Sequence, residues 1–256
     1  MTGSSVRERT IPGMNPTLDQ MHAHRSIRAY TGEVMPDEDL KTAFEAAQYA
    51  ATSANIQAYS AIRVTDPDTL QQLVTLTGEQ KKVAQCGTFL VICGDMRRHH
   101  LLAECADCDC TENLESFLLC VVDASLFAQN LALAVESMGW GTCFIGGLRN
   151  DLAAVGQLLE LPQGVYPLFG LCIGRADEEP WKRPRLPVDA VLFDDRYPDD
   201  DAMLDMMKSY DEHMATYYEK RGASGRRWIG QMEQFFAKPR RTGDRTFYES
   251  QGASLE

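Results

Sequence analysis

The chain lacks an uninterrupted apolar run of membrane-spanning length. Its longest apolar stretch, around residues 114–138, is broken by Glu115, Asp123, Gln129, Asn130 and Glu136, and it reads as a buried core helix. The opening MTGSSVRERTIPGMNP has no apolar segment of the kind a secretory leader needs, so a cytoplasmic location is expected. Basic charge is in short supply. With 25 Lys and Arg against 37 Asp and Glu the net charge is −12, which argues against nucleic acid or an anionic membrane as partner. No Gly-, Ser- or Pro-rich linker divides the chain and no internal repeat is visible. Paired metal knuckles are also missing, so no metal is expected, although Cys105, Cys108 and Cys110 form a tight group near His99 and His100. That group is read as an exposed thiol loop; a metal or redox sensor built on it is the alternative from another functional class. Most of the eight cysteines lie inside apolar runs, where a reduced thiol behaves as a small hydrophobe.

What is present is a mixture of helical and strand patterns. Residues 1–16 read as disordered. Thr17-Leu-Asp-Gln20 has the spacing of a capping box and predicts a short helix to about His24. Pro36 opens a second helix with Leu40, Ala43, Phe44, Ala47 and Ala51 on its apolar face, ending near Ser53-Ala54-Asn55. Strands are expected at Tyr59–Thr65, Phe89–Cys93, Gly141–Gly147 and Leu168–Ile173. A helix starts near Pro67, one long helix covers 113–138, and another, capped by Asn150, runs through Leu161. Residues 97–113 read as a polar loop and 175–200 as irregular chain; helices at about 201–219 and 226–237 finish the sequence. This order implies an α+β protein with helices around a central mixed sheet. The segment from about 195 onward reads as an appendage.

Two basic clusters stand out against the acidic background. His24-Arg25-Ser26-Ile27-Arg28 groups hydrogen-bond donors suited to a phosphate, and a helical spacing would turn Arg25 and Arg28 toward one anion. A solvated basic patch with surface ion pairs is the plainer alternative. Arg183-Pro184-Arg185 follows an apolar strand, and residues 220–245 carry a net +6 against −18 for the rest. A local basic tail on an acidic body suggests one anionic ligand.

Read in order, the motifs HRSIRAYT (24–31), LVTLTGEQKKVAQ (73–85), VVDASLFAQNLALAVESMGWG (121–141), FIGGLRN (144–150), YPLFGLCIG (166–174) and RPRLP (183–187) resemble the nitro/FMN reductase superfamily, and in particular its oxygen-insensitive NADPH nitroreductase and flavin reductase group. The resemblance spans about residues 17–228. It implies a nitroreductase-like fold, FMN as cofactor, NADPH as cosubstrate and a homodimer acting on small-molecule electron acceptors. It further implies an FMN-binding domain over 17–195 and a C-terminal helical extension over 196–256 that packs on the dimer and contributes to NADPH binding.

By the same resemblance His24, Arg25, Ser26 and Arg28 hold the FMN phosphate and ribityl chain, and Gln80 bonds the flavin edge. Ile145, Gly146 and Gly147 lie against the ring, where a backbone N–H reaches N5. Thr52, Ser53, Asn55 and Gln57 approach from the partner subunit. Arg183 and Arg185 take the place of a Lys-Pro-Arg that puts positive charge near the pyrimidine end and phosphate; the family's lysine is arginine here, with Lys182 just before it. Arg221 and Arg226 match arginines that bind the 2′-phosphate of NADPH. No side chain is a dedicated acid or base, because the flavin carries the chemistry. Either a nitroaromatic or quinone reductase, or a reductase supplying reduced FMN, is compatible with this pattern.

Overall fold

The structure is a computed structural model that describes residues 15–255. The region expected to be disordered, 1–16, therefore lies outside the described residues except for its last two. Helix α1 (Pro16–Ala23) is capped by the Asn15 side chain, which accepts from the N–H groups of Thr17 and Leu18 at 2.9 and 3.4 Å. Thr17 lies inside the helix, so the capping box expected there is not formed. Asn at N-cap followed by Pro at N1 satisfies the same need.

Helix α2 (Asp37–Ala47) buries Leu40, Ala43 and Ala47 and ends well before the expected limit near Ser53, where a 3-10 turn (Ser53–Asn55) forms instead. Strand β1 (Tyr59–Val64) leads to α3 (Pro67–Leu76), capped by Asp66, then to α4 (Lys82–Gln85) and β2 (Thr88–Asp95). Residues 97–105, expected as loop, form α5 (Arg97–Cys105). The segment has no glycine or proline to break a helix, and the Asp95 carboxylate accepts from the Arg97 N–H at 3.0 Å. None of its residues is buried, so no apolar face marked it in the sequence.

Helix α6 (Leu114–Ser137) starts with a reciprocal Asn113–Ser116 capping box and is closed by Gly139 at φ 83°. Its 24 residues span about 36 Å. Strand β3 (Gly141–Ile145) runs into a 3-10 turn (Gly146–Asn150), and α7 (Leu152–Leu158) is capped by Asp151, not by Asn150 as expected. Strand β4 (Val165–Gly174) is followed by irregular chain to a 3-10 turn at Val188–Ala190, then α8 (Asp200–Lys220) and α9 (Trp228–Phe236). A helix absent from the sequence reading, α10 (Asp244–Ser250), comes last and buries Phe247 and Tyr248.

The chain forms two compact units. One takes in the described chain to Pro180 and resumes at Gly243; the other spans Trp181–Thr242. The division expected at 195/196 thus falls earlier, and the final helix groups with the first unit, where the Tyr248 hydroxyl donates to the Pro167 carbonyl at 2.9 Å.

In the first unit the strands lie in the order β1-β2-β4-β3, and every neighbouring pair is antiparallel. The expected mixed sheet is corrected accordingly: among the described residues parallel pairing enters only as an isolated bridge between Ser26 and Thr142. All eight residues of β2 are buried, which explains its continuous apolar reading. Leu90 and Ile92 meet Leu171, Ile173 and the Ala124–Phe127–Leu131–Val135 stripe of α6. Phe89, Val91 and Cys93 face the opposite layer with Leu73, Val74, Val83 and Val155. By length and composition alone α6 is apolar enough to cross a membrane, but here its inner stripe covers the sheet. In the second unit Tyr210, Met214, Tyr217 and Tyr218 of α8 make a separate small core with Leu186, Ala223 and Trp228.

Candidate functional site

The basic segment 24–31 runs as extended chain beside the sheet. The Ile27 N–H donates to Thr142 at 2.8 Å, the Asp177 N–H to Ala29 at 3.0 Å and the Thr31 N–H to Arg175 at 3.0 Å. The expected helical turn between Arg25 and Arg28 is therefore not formed, and residues three apart in extended chain project to opposite sides. Their partners differ to match. Arg25 Nη1 lies 3.3 Å from Glu179, and its buried Nε meets no acceptor among the described residues. Arg28 Nη1 donates to the Ser26 carbonyl at 3.2 Å. His24 Nδ1 lies 2.8 and 3.1 Å from the two oxygens of Glu136, which also accepts from the Thr142 hydroxyl at 2.5 Å. The backbone N–H groups of Arg28 and Ala29, natural anion donors, are held by the Glu178 carboxylate.

A second group of donors comes from the α3–α4 turn and the end of β3. Gln80 Nε2 donates to the Thr77 carbonyl at 2.7 Å, and Lys82 Nζ donates to Gln80 Oε1 at 2.7 Å. Gly147 packs directly on this turn: a Cβ there would lie 2.2 Å from Gln80 Nε2 and 2.5 Å from the Thr77 oxygen. The buried Cys143 on β3 ties the two groups together. Burial pushes its thiol up, while Arg28 and Lys82 both pull it down. Gln80 and Gly147 meet just beyond the C-terminal end of β3, where Ile145 is buried before the glycines, while Ser26 is bridged to Thr142 near the start of the strand. His24 and Arg25 are engaged elsewhere. Lys82 was missed by sequence reading; its signal was a second lysine two residues after Gln80.

Gly147→Ala is expected to displace Gln80, since the Thr77 carbonyl oxygen is backbone and cannot swing away. A fall in melting temperature of several degrees (about 1–3 kcal/mol), with weakened cofactor retention, checks this by calorimetry and absorbance.

The 52–58 loop is built around one acid. Asp123, 1% exposed on α6, accepts from the Thr52 hydroxyl at 2.5 Å, the Ser53 N–H at 3.2 Å and the Ala58 N–H at 3.1 Å. The Thr52 hydroxyl in turn accepts from the Gln57 N–H at 2.8 Å. Ala54, Asn55 and Gln57 all hold left-handed backbone, at φ 46°, 60° and 51°. Such conformations persist only where the surroundings impose them.

In the second unit Arg183 and Arg185 are exposed, and Arg185 Nη1 donates to the Arg183 carbonyl at 2.9 Å. The intervening Pro184 carbonyl accepts from the Tyr210 hydroxyl at 2.9 Å, which anchors this loop on α8. Arg221 and Arg226 are exposed at the α8–α9 turn. Arg227 is not equivalent to them: its Nε donates at 2.5 Å to Asp211, which also accepts from the Ile229 N–H at 2.8 Å. Burial pushes the Asp211 carboxyl up, but these hydrogen bonds prevail and hold it below the usual range.

Cys105 and Cys108 are exposed and Cys110 is half-buried; no group of three metal-ligating side chains is found among the described residues. Of the tryptophans, Trp140 is buried under the Arg175 guanidinium at 3.9 Å and Trp181 is exposed.

The nitroreductase family model matches residues 21–175, and the model for the nitroreductase family C-terminal domain matches 183–256. The chain is 40% identical over 236 residues to the FMN reductase (NADPH) of Bacillus subtilis, covering 90% of this chain and 94% of that protein. It is 39% identical over 241 residues to the oxygen-insensitive NADPH nitroreductase of Salmonella typhimurium, covering 93% and 98%. The structure of NADPH:FMN oxidoreductase from Vibrio harveyi complexed with NAD+ superposes with a TM-score of 0.86 at 35% identity, covering 94% of this chain and all of that one.

Proposed function

The chain belongs to the nitroreductase family, and from that premise we propose that it is an FMN-dependent NADPH oxidoreductase that reduces small-molecule acceptors such as nitroaromatics and quinones. The observation that carries the reading is the packing of Gly147 on the Gln80–Lys82 pair just beyond β3, with Arg28 and Lys82 both acting on the Cys143 thiol of that strand. This donor set fits a phosphorylated, electron-rich ring system. It supplies two cations and an amide, and among the described residues no side chain caps the 3-10 turn at Gly146–Gly147.

In this reading Arg28 and Ser26 hold the phosphate, with His24 and Arg25 shaping the segment from the other side. Gln80 and the Gly146–Gly147 backbone orient the ring edge, and Ile145 backs it. Arg221 and Arg226 receive the 2′-phosphate of NADPH. Bound FMN supplies two-electron chemistry, passing reducing equivalents from NADPH to the acceptor in alternate half-reactions. The protein's own part is to bind, to orient and to leave one face of the site open.

The reading includes a homodimer. Leu114, Leu118, Val122 and Leu126 recur every four residues on α6 and are 42–51% exposed, an apolar stripe on the outer face of a helix whose inner face covers the sheet. In such a dimer Thr52, Ser53, Asn55 and Gln57 would complete the partner's site. The double variant Leu118→Glu, Val122→Glu is expected to shift the protein to monomer in light-scattering chromatography and to lose flavin with it. A cytoplasmic, reducing location fits the eight unpaired thiols.

The activity is tested with a panel of acceptors at fixed NADPH. Nitroaromatic and quinone turnover with parallel-line kinetics is expected. Turnover confined to free FMN would instead assign a flavin-supplying reductase, and no NADPH oxidation by flavin-loaded protein would contradict the proposal.

A further inference from the structure

The arginines at the end of α8 are held in an unusual way for an acidic protein. The chain carries 37 acidic residues, yet among the described residues neither Arg221 nor Arg226 has a carboxylate partner. Each is set on an aromatic ring instead. The Arg221 guanidinium carbon lies 5.6 Å from the Tyr217 ring centroid, and its Nη1 donates to the Tyr217 hydroxyl at 3.1 Å. The Arg226 guanidinium carbon lies 5.3 Å from the Tyr218 ring centroid. The two tyrosines are 7% and 4% exposed, and their centroids are 5.5 Å apart, so the rings are fixed by packing and cannot follow the arginines. Gln231 Nε2 of α9 donates to the Tyr218 hydroxyl at 2.8 Å, at the edge of a ring that packing already holds. The turn itself is pinned by the Arg227–Asp211 pair.

An aromatic face orients a guanidinium without neutralising it, whereas a carboxylate would do both. The cations thus keep their full attraction for an incoming dianion and lose less rotamer freedom on binding it. We propose that Tyr217 and Tyr218 are positioning residues that set NADPH over NADH specificity, by holding Arg221 and Arg226 ready for the ribose 2′-phosphate. The inference rests on the NADPH reading above and deepens it; the hydroxyls matter at Tyr217, which bonds its arginine, and the ring alone matters at Tyr218.

The test compares KM for NADPH and NADH, and binding of 2′,5′-ADP against 5′-AMP, in flavin-loaded protein. Arg226→Ala tests the underlying reading. Tyr218→Leu removes the ring, and Tyr218→Phe keeps it. The expected result is a rise of about fivefold in KM for NADPH and in the dissociation constant for 2′,5′-ADP with Tyr218→Leu. NADH, 5′-AMP and kcat should be unchanged, and Tyr218→Phe should restore near wild-type values. If Arg226→Ala weakens NADPH and Tyr218→Leu does not, the positioning role is overturned while the NADPH reading stands. If Tyr218→Leu weakens NADH and 5′-AMP equally, or if Phe fails to rescue, the tyrosine is merely structural and the inference is wrong. If Arg226→Ala leaves NADPH unaffected, the 2′-phosphate reading fails and takes the inference with it.

Discussion

Arg28→Ala is expected to purify with little flavin. On the proposed reading the substitution removes a charge-assisted bond to phosphate worth roughly 1.5–3 kcal/mol, or about 10- to 100-fold in affinity. Lys82 of α4 remains and should leave some residual binding. The ratio of flavin to protein absorbance, followed by a fluorescence titration with FMN, gives the number. Arg25→Ala is the informative contrast. Its guanidinium is engaged by Glu179, so its loss should weaken FMN several-fold less than loss of Arg28. Equal losses would mean that both arginines reach the phosphate after all.

The largest effect on stability is expected at Asp123. Alanine there leaves the Thr52 hydroxyl and the Ser53 and Ala58 N–H groups without their acceptor, and Ala58 is wholly buried. Orphaned buried donors cost about 1–3 kcal/mol each, and partial relaxation brings the sum to roughly 3–5 kcal/mol. For a chain of this size the melting temperature should fall by about 10 °C. Asp123→Asn keeps one acceptor oxygen and should recover part of the loss. Because the same carboxylate imposes the left-handed residues of the 52–57 loop, Asp123→Ala should also reduce flavin retention, even though Asp123 is not itself in the proposed contact set. Calorimetry and the absorbance ratio on the same samples separate the two effects.

Much of this arrangement was legible in the sequence, for physical reasons that can be named. The buried strand β2 reads as an unbroken apolar run because helices cover both of its faces. The long helix α6 is plain from its length and its closing glycine. The glycines after β3 could be placed on a strand end, and Gly147 proves to be where the chain touches Gln80.

What was not legible depends on partners distant in sequence. Two arginines three apart fit a helical face or an extended strand equally well in isolation, and only the pairing of Ser26 with Thr142 decides between them. Glu178, which takes the Arg28 and Ala29 N–H groups, comes 150 residues later. Asp123 reads as an interruption in an apolar helix, and nothing local says that it organises a loop 65–71 residues earlier. Helix α5 was hidden because it buries no complete face, so periodicity is weak where local propensity is adequate.

The central requirement of the proposed function is that Arg28, Ser26, Gln80 and the Gly146–Gly147 backbone hold riboflavin 5′-phosphate. Anaerobic titration of the purified protein with FMN, followed by NADPH, addresses it most directly. One equivalent bound per chain, with flavin absorbance that bleaches on adding NADPH, is the expected outcome. Protein that takes up no flavin from a saturating solution would contradict the account.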